Sequence, residues 1–240
     1  MCRTCDDQLS RRRMLTGAAA MAVTVAAGPA MIGAAEAAGP AGPSLTPKES
    51  LDRLKAGNAR FVSKPQACAL DLQNRRKSLA QRQAPWATIV GCADSRVAPE
   101  LLFGGLGLGE LFVARNAGNL VDTATLGTVE YGALNLGSPL IVVLGHERCG
   151  AVAAACDAVA KNASFPGAIG PMIAPILPAA KAMQGKSGDF LDNTVRESAK
   201  RSAAGLPKSS AILAKLVAEK KLRIIAARYD LDDGKVEFFE

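Results

Sequence analysis

Two apolar runs limit what this chain can fold into more than any other feature. Trp86 to Cys92 (Trp-Ala-Thr-Ile-Val-Gly-Cys) and Pro139 to Gly145 are short, continuous and rich in β-branched residues. Neither alternates apolar with polar, so neither suits a sheet with one wet face. Each reads as a strand buried on both faces, as in a parallel sheet covered by helices. Glu110 to Arg115, entered through the Gly-rich Gly104 to Gly109, and Leu222 to Tyr229 read as further strands. Asp232-Asp233-Gly234 signals a turn, and Lys235 to Glu240 returns as an edge strand.

Helical segments alternate with these strands. Thr46 and Glu49 form a capping box, with Pro47 in the first turn. Arg75 to Gln83 reads as a short helix stopped by Pro85. Thr123 to Leu136 has Asp122 as its cap and Gly137 as its stop. Glu147 to Val159, Leu191 to Lys200 and Ser209 to Lys221 are further helices, while the proline-rich Phe165 to Pro178 starts out irregular. The alternation predicts an α/β fold with a mostly parallel central sheet and flanking helices.

Ligands gather at the carboxyl ends of strands in such sheets. Cys92 ends the first run and opens Cys92-Ala-Asp94-Ser-Arg96. His146, the only histidine, follows the third strand in His146-Glu-Arg-Cys149. Both clusters therefore fall on one edge of the sheet. Two thiolates and an imidazole are ligands that zinc prefers. Three strong ligands beside a carboxylate fit a catalytic site with an open fourth position; Asp94 could also close the tetrahedron of a structural one. His146 and Cys149, three apart at the start of a predicted helix, are expected to share a face, with the helix N-terminus favouring a Cys149 thiolate. Cys92 then approaches from the neighbouring strand.

Residues 1–38 read as a twin-arginine export signal. Ser10-Arg11-Arg12-Arg13-Met14-Leu15 precedes an Ala-rich stretch from Gly17 to Ile32, and Ala35-Glu36-Ala37 offers small residues to a peptidase. That stretch is too weakly apolar for a membrane span and is interrupted by Gly28-Pro29. Residues 39–240 are then one domain, expected in the periplasm or secreted, with no stable membrane insertion. Cys2 and Cys5 leave with the signal. Cys68 and Cys156 remain, as two buried free thiols or one bridge. The net charge of +7 is spread along the chain, with few aromatic residues interleaved. A nucleic-acid platform needs both features, so no nucleic-acid partner is expected.

The two clusters, Cys92-Ala-Asp94-Ser-Arg96 and Gly145-His146-Glu-Arg-Cys149-Gly150, resemble those of the β-class carbonic anhydrases. The resemblance extends over Gln83-Ala-Pro85, Leu111-Phe-Val-Ala-Arg115-Asn116-Ala-Gly118-Asn119, Glu130-Tyr131-Gly and the tail from Tyr229. It covers the chain from about Pro47 onward. It implies one zinc per subunit, held by Cys92, His146 and Cys149, and reversible hydration of carbon dioxide to bicarbonate by zinc-bound hydroxide. Asp94, paired with Arg96, would accept a hydrogen bond from that hydroxide, or in a closed form replace it on zinc. Gln83 and the Gly150 amide would meet substrate. Phe112 and Tyr131 would form the apolar side of the cleft, often from a partner subunit. The resemblance further implies a homodimer or homotetramer with an N-terminal helical arm. Two thiolates lead us to expect activity rising toward alkaline pH. Ile89 stands where allosteric relatives carry tryptophan, which leads to the expectation of Asp94 off the metal at rest. Carbonyl sulfide or carbon disulfide hydrolysis, or non-catalytic zinc binding, are the alternatives on the same fold.

Overall fold

A computed structural model describes residues 45–64, 76, 79–80 and 82–240. The export signal over 1–38, Cys2, Cys5, Cys68 and most of the short helix expected over Arg75 to Gln83 lie outside the described residues.

Five strands form one sheet in the order β2-β1-β3-β4-β5. They are β1 (Ala87–Cys92), β2 (Leu111–Asn116), β3 (Leu140–His146), β4 (Arg223–Tyr229) and β5 (Val236–Phe239). The first four run parallel and β5 pairs antiparallel with β4. Every residue of β1 and β3 is buried, as their unbroken apolar runs require. β2 lies at the sheet edge and is only half-buried.

The helices are α1 (Pro47–Ser63), α2 (Pro99–Leu102), α3 (Thr123–Leu134), α4 (Gly150–Lys161), α5 (Ile169–Ile173), α6 (Leu177–Met183), α7 (Phe190–Ser209) and α8 (Ala211–Ala218). The side-chain period of two sorts β3 between two cores. Leu140, Val142 and Leu144 face Leu51 and Leu54 of α1 and Phe103 beyond α2. Ile141 and Val143 face Val129 of α3, Ala199 and Leu206 of α7 and Leu213 of α8. Each fully buried Leu, Ile or Val contributes about 1.5–3 kcal/mol. An exposed ion pair contributes about 0–1 kcal/mol. Burial of the two central strands therefore sets the position of the sheet edge that carries the clusters.

Local chemistry starts α1 and α3 where expected. Thr46 Oγ1 accepts the Glu49 amide at 3.2 Å, and Glu49 Oε2 accepts the Thr46 amide at 2.7 Å. Asp122 Oδ1 caps α3 through the Thr125 amide at 2.7 Å. Gly57 of α1 lies so close to α2 that a β-carbon there would meet the Phe103 carbonyl oxygen at 2.0 Å. Asn58 then ties α1 to both neighbours, donating to the Leu102 and Gly234 carbonyls and accepting the Val236 amide.

Several expectations are corrected. Phe165 to Pro178 is irregular only as far as Ala168 and then carries α5, a 3-10 turn (Ala174–Ile176) and the start of α6. Pro171, Pro175 and Pro178 sit in the first turns of these short pieces, where a missing N–H costs nothing. α7 runs on past Lys200 to Ser209, tolerating Pro207 near its end. α2 escaped notice because it is a single turn. The helix expected from Glu147 begins only at Gly150.

Candidate metal centre

The chain passes from β1 to β2 on one side, then returns across β1 to β3 on the other. At that reversal the connections from β1 and β3 diverge and leave a crevice at their carboxyl ends. Cys92 is the last residue of β1 and His146 the last of β3. Cys149 is the N-cap of α4. His146 and Cys149 therefore do not share a helix face, as their spacing suggested. Arg148 between them adopts left-handed backbone (φ 53°), which turns the chain sharply from strand into helix.

The turn brings the ligand atoms of Cys92, His146 and Cys149 within 4.8 Å of one another, all three residues buried. The two sulfurs are 3.9 Å apart, as free thiols. Around them lie Leu120, Val152, Ala155, Ile176 and Val195. His146 Nδ1 lies 2.9 Å from the Glu147 carbonyl oxygen. A carbonyl only accepts, so in the neutral ring Nδ1 carries the proton and Nε2 presents its lone pair. Nε2 is buried with no hydrogen-bond partner. A buried polar atom left alone calls for an explanation, and this one points at two sulfurs.

The thiols titrate as a pair. The contact with Cys149 pushes Cys92 down to about 3, against the opposing effect of burial. The same contact, with burial, pushes Cys149 above the usual thiol range. Of the two, Cys92 is therefore the more acidic thiol and Cys149 the less. The amide of Gly118 donates to Cys92 Sγ at 3.3 Å and further favours the anion. Gly118 is in left-handed backbone (φ 85°), and a β-carbon would crowd Ala151 and Ile176 at 3.1 Å.

Asp94 stands at the rim. Its Oδ2 lies 3.8 Å from His146 Nε2. Arg96 donates from Nε and Nη2 to the two carboxylate oxygens at 2.9 and 2.7 Å, and its amide donates to Oδ1 at 2.9 Å. These Arg96 hydrogen bonds hold the Asp94 carboxyl well below the usual carboxylate range. Arg115 on β2 braces the same corner, donating to the Cys92 and Asp94 carbonyls at 2.8 and 2.7 Å. The Arg115 and Gly118 contacts escaped the sequence reading, although both residues lie in a segment it singled out.

Of the remaining sequence-predicted residues, only Gly150 adjoins the cluster. Gly150 opens α4 directly after Cys149, with open space where a β-carbon would stand. Gln83 is exposed in the segment before β1. Phe112 and Tyr131 pack on each other with ring centroids 6.2 Å apart. Phe112 pairs with Thr88, whereas Cys92 pairs with Asn116. At about 3.3 Å per residue, Phe112 is ~13 Å along the strand from the sulfur end. Within one chain it does not join the cluster. A second carboxylate group, Glu147, Asp230 and Asp232, is already matched by Arg148 and Arg228.

Comparison with known proteins follows the same lines. The profile of the carbonic anhydrase family matches residues 87–236. Carbonic anhydrase 2 of Mycobacterium tuberculosis is 37% identical over 194 residues, covering 80% of this chain and 93% of that protein. The carbonic anhydrase of Mycolicibacterium smegmatis is also 37% identical, over 81% of this chain and 94% of that one. Among solved structures, the Coccomyxa β-carbonic anhydrase in complex with acetazolamide superposes with a TM-score of 0.57 at 29% identity, over 68% of this chain and 75% of that one. A tetrameric β-carbonic anhydrase of Sordaria macrospora gives a TM-score of 0.62 at 23% identity, over 70% and 87%, and speaks for the fold alone.

Proposed function

This chain belongs to the β-class carbonic anhydrase family, and from that premise we propose that it interconverts carbon dioxide and bicarbonate at a zinc ion held by Cys92, His146 and Cys149. One observation carries the reading: His146, whose buried Nε2 has no hydrogen-bond partner, lies in one buried cluster with two thiols, their ligand atoms within 4.8 Å of one another. This donor set fits zinc. Zinc bound there would act as a Lewis acid that makes water nucleophilic near neutral pH.

The chain's own residues supply the rest. Asp94, kept ionised by Arg96, can only accept hydrogen bonds. It therefore fixes the orientation of a water at the rim and leaves that water's lone pair toward substrate. Arg115 holds the Cys92–Asp94 corner still. The apolar wall of Leu120, Val152 and Ile176 keeps the floor of the site dry, which suits an uncharged gas. Phe112, Tyr131 and Gln83 would reach this site from a second copy of the chain. The apolar Phe112–Tyr131 patch at the sheet edge supports such a dimer. Residues 39–240 would act as the catalytic domain after export, a reading supported by the twin-arginine pattern in Ser10 to Leu15.

Stopped-flow carbon dioxide hydration at alkaline pH, on zinc-loaded protein starting near Gly39, tests the proposal. Asp94→Asn should keep its zinc and lose about 100-fold or more in turnover, the low end of what loss of one positioned proton-handling group costs. An Asp94→Asn variant as active as the unaltered protein would remove carbon dioxide hydration by this arrangement from consideration.

A further inference from the structure

Glu147 and Arg148, the two residues between His146 and Cys149, send their side chains to the turn between β4 and β5. Glu147 Oε2 accepts the Leu231 amide at 3.0 Å. Arg148 forks the Asp232 carboxylate, with Nη2 and Nη1 at 2.6 and 3.0 Å from its two oxygens. The turn they grip is stiff. Asp230 Oδ1 accepts the amides of Asp232 and Asp233 at 2.9 and 3.1 Å. Arg228 holds Asp230 at 2.8 Å and reaches back to Asp192 on α7.

Arg148 is also the residue in left-handed backbone. A β-carbon disfavours that conformation, so the surroundings must hold it there. The angle at this residue sets where α4 begins relative to the end of β3. It therefore sets the separation of the Cys149 sulfur from the His146 ring.

We propose that Glu147 and Arg148 are positioning residues: through Leu231 and Asp232 they hold the His146–Cys149 corner at the spacing a metal ion needs. The inference rests on the metal-binding reading above. A half-exposed ion pair adds little to global stability. Its loss acts on the corner, not on the fold. Groups that orient metal ligands typically cost about 10–100-fold in metal affinity when removed.

The experiment times zinc release from the loaded full chain into an excess of chromophoric chelator. Glu147→Gln, Arg148→Gly and Asp232→Asn are compared with Asp233→Asn, which alters the same turn but loses only contacts to Lys235. Arg148→Gly separates the fork from the backbone, because glycine adopts positive φ without cost. Release about tenfold faster from the three variants is expected. Asp233→Asn should match the unaltered protein, and the thermal midpoints of the metal-free proteins should agree. Arg148→Gly and Asp232→Asn combined should release no faster than either alone, since they break one contact. Release at the unaltered rate from all three variants overturns the positioning role. Zinc that binds equally well to Cys149→Ser overturns the metal reading itself, and is a separate result.

Discussion

The opposite shifts of Cys92 and Cys149 give metal binding a pH dependence. Cys92 is pushed down to about 3 and Cys149 upward. A metal ion needs both as thiolates, so loading expels the proton on Cys149. Zinc uptake should therefore release about one proton from the pair, and apparent affinity should rise about tenfold per pH unit below the Cys149 pKa. Calorimetry in buffers of different ionisation enthalpy counts that proton; a count near zero would mean that the pair is already doubly ionised. The residue identities at this site were legible because Cys92, Asp94, Arg96, His146 and Cys149 stand in tight motifs at strand ends. The backbone between them was not. A spacing of three residues suggested one helix face, whereas Arg148 turns left-handed and Cys149 caps the helix. The Gly118 amide and the Arg115 guanidinium come from another strand, and no local pattern announces a contact of that range.

Among the elements, α1 and the β4–β5 hairpin carry the sharpest expectations. Gly57→Ala would drive a methyl group into the Phe103 carbonyl. Overpacking of this kind costs about 1–3 kcal/mol, which a urea melt should read as a lower midpoint at constant slope. The hairpin depends on Asp230, whose carboxyl the Arg228 guanidinium lowers to about 2. A depressed carboxyl stabilises fully above its unfolded value of about 4, and that contribution fades as pH falls through the folded value. The melting temperature should therefore drop between about pH 4 and pH 2. Asp230→Asn should lower it near pH 6 and flatten that acid decline. An unchanged acid limb would show that other carboxylates govern it. Strands were easier to read than helices here. Short unbroken runs rich in β-branched residues and bounded by Gly and Pro favour a buried strand over a buried helix. The Ala- and Pro-rich stretch from Phe165 to Met183 offers weak periodicity, and only packing against α4 and α7 makes it helical.

At the scale of the whole molecule, one edge of the sheet is unfinished. β2 is half-buried, and beside it Tyr131 and Leu134 are 50% and 48% exposed. If this edge pairs with a second copy, Tyr131→Glu should yield a monomer in sedimentation velocity. That monomer should retain zinc and lose hydration activity, because its cleft lacks the partner's aromatic wall. A Tyr131→Glu protein that still sediments as an oligomer would place the contact elsewhere. No helix among the described residues is long and apolar enough to cross a membrane. His146, last residue of β3, is the only imidazole in 240 residues. Its Nδ1 lies against the Glu147 carbonyl and the ring clusters with the two sulfurs. An untagged, nitrogen-15-labelled sample thus has one ring to observe by magnetic resonance. The nitrogen resonances of that one ring should report metal occupancy and exchange in solution, with no assignment and no added probe.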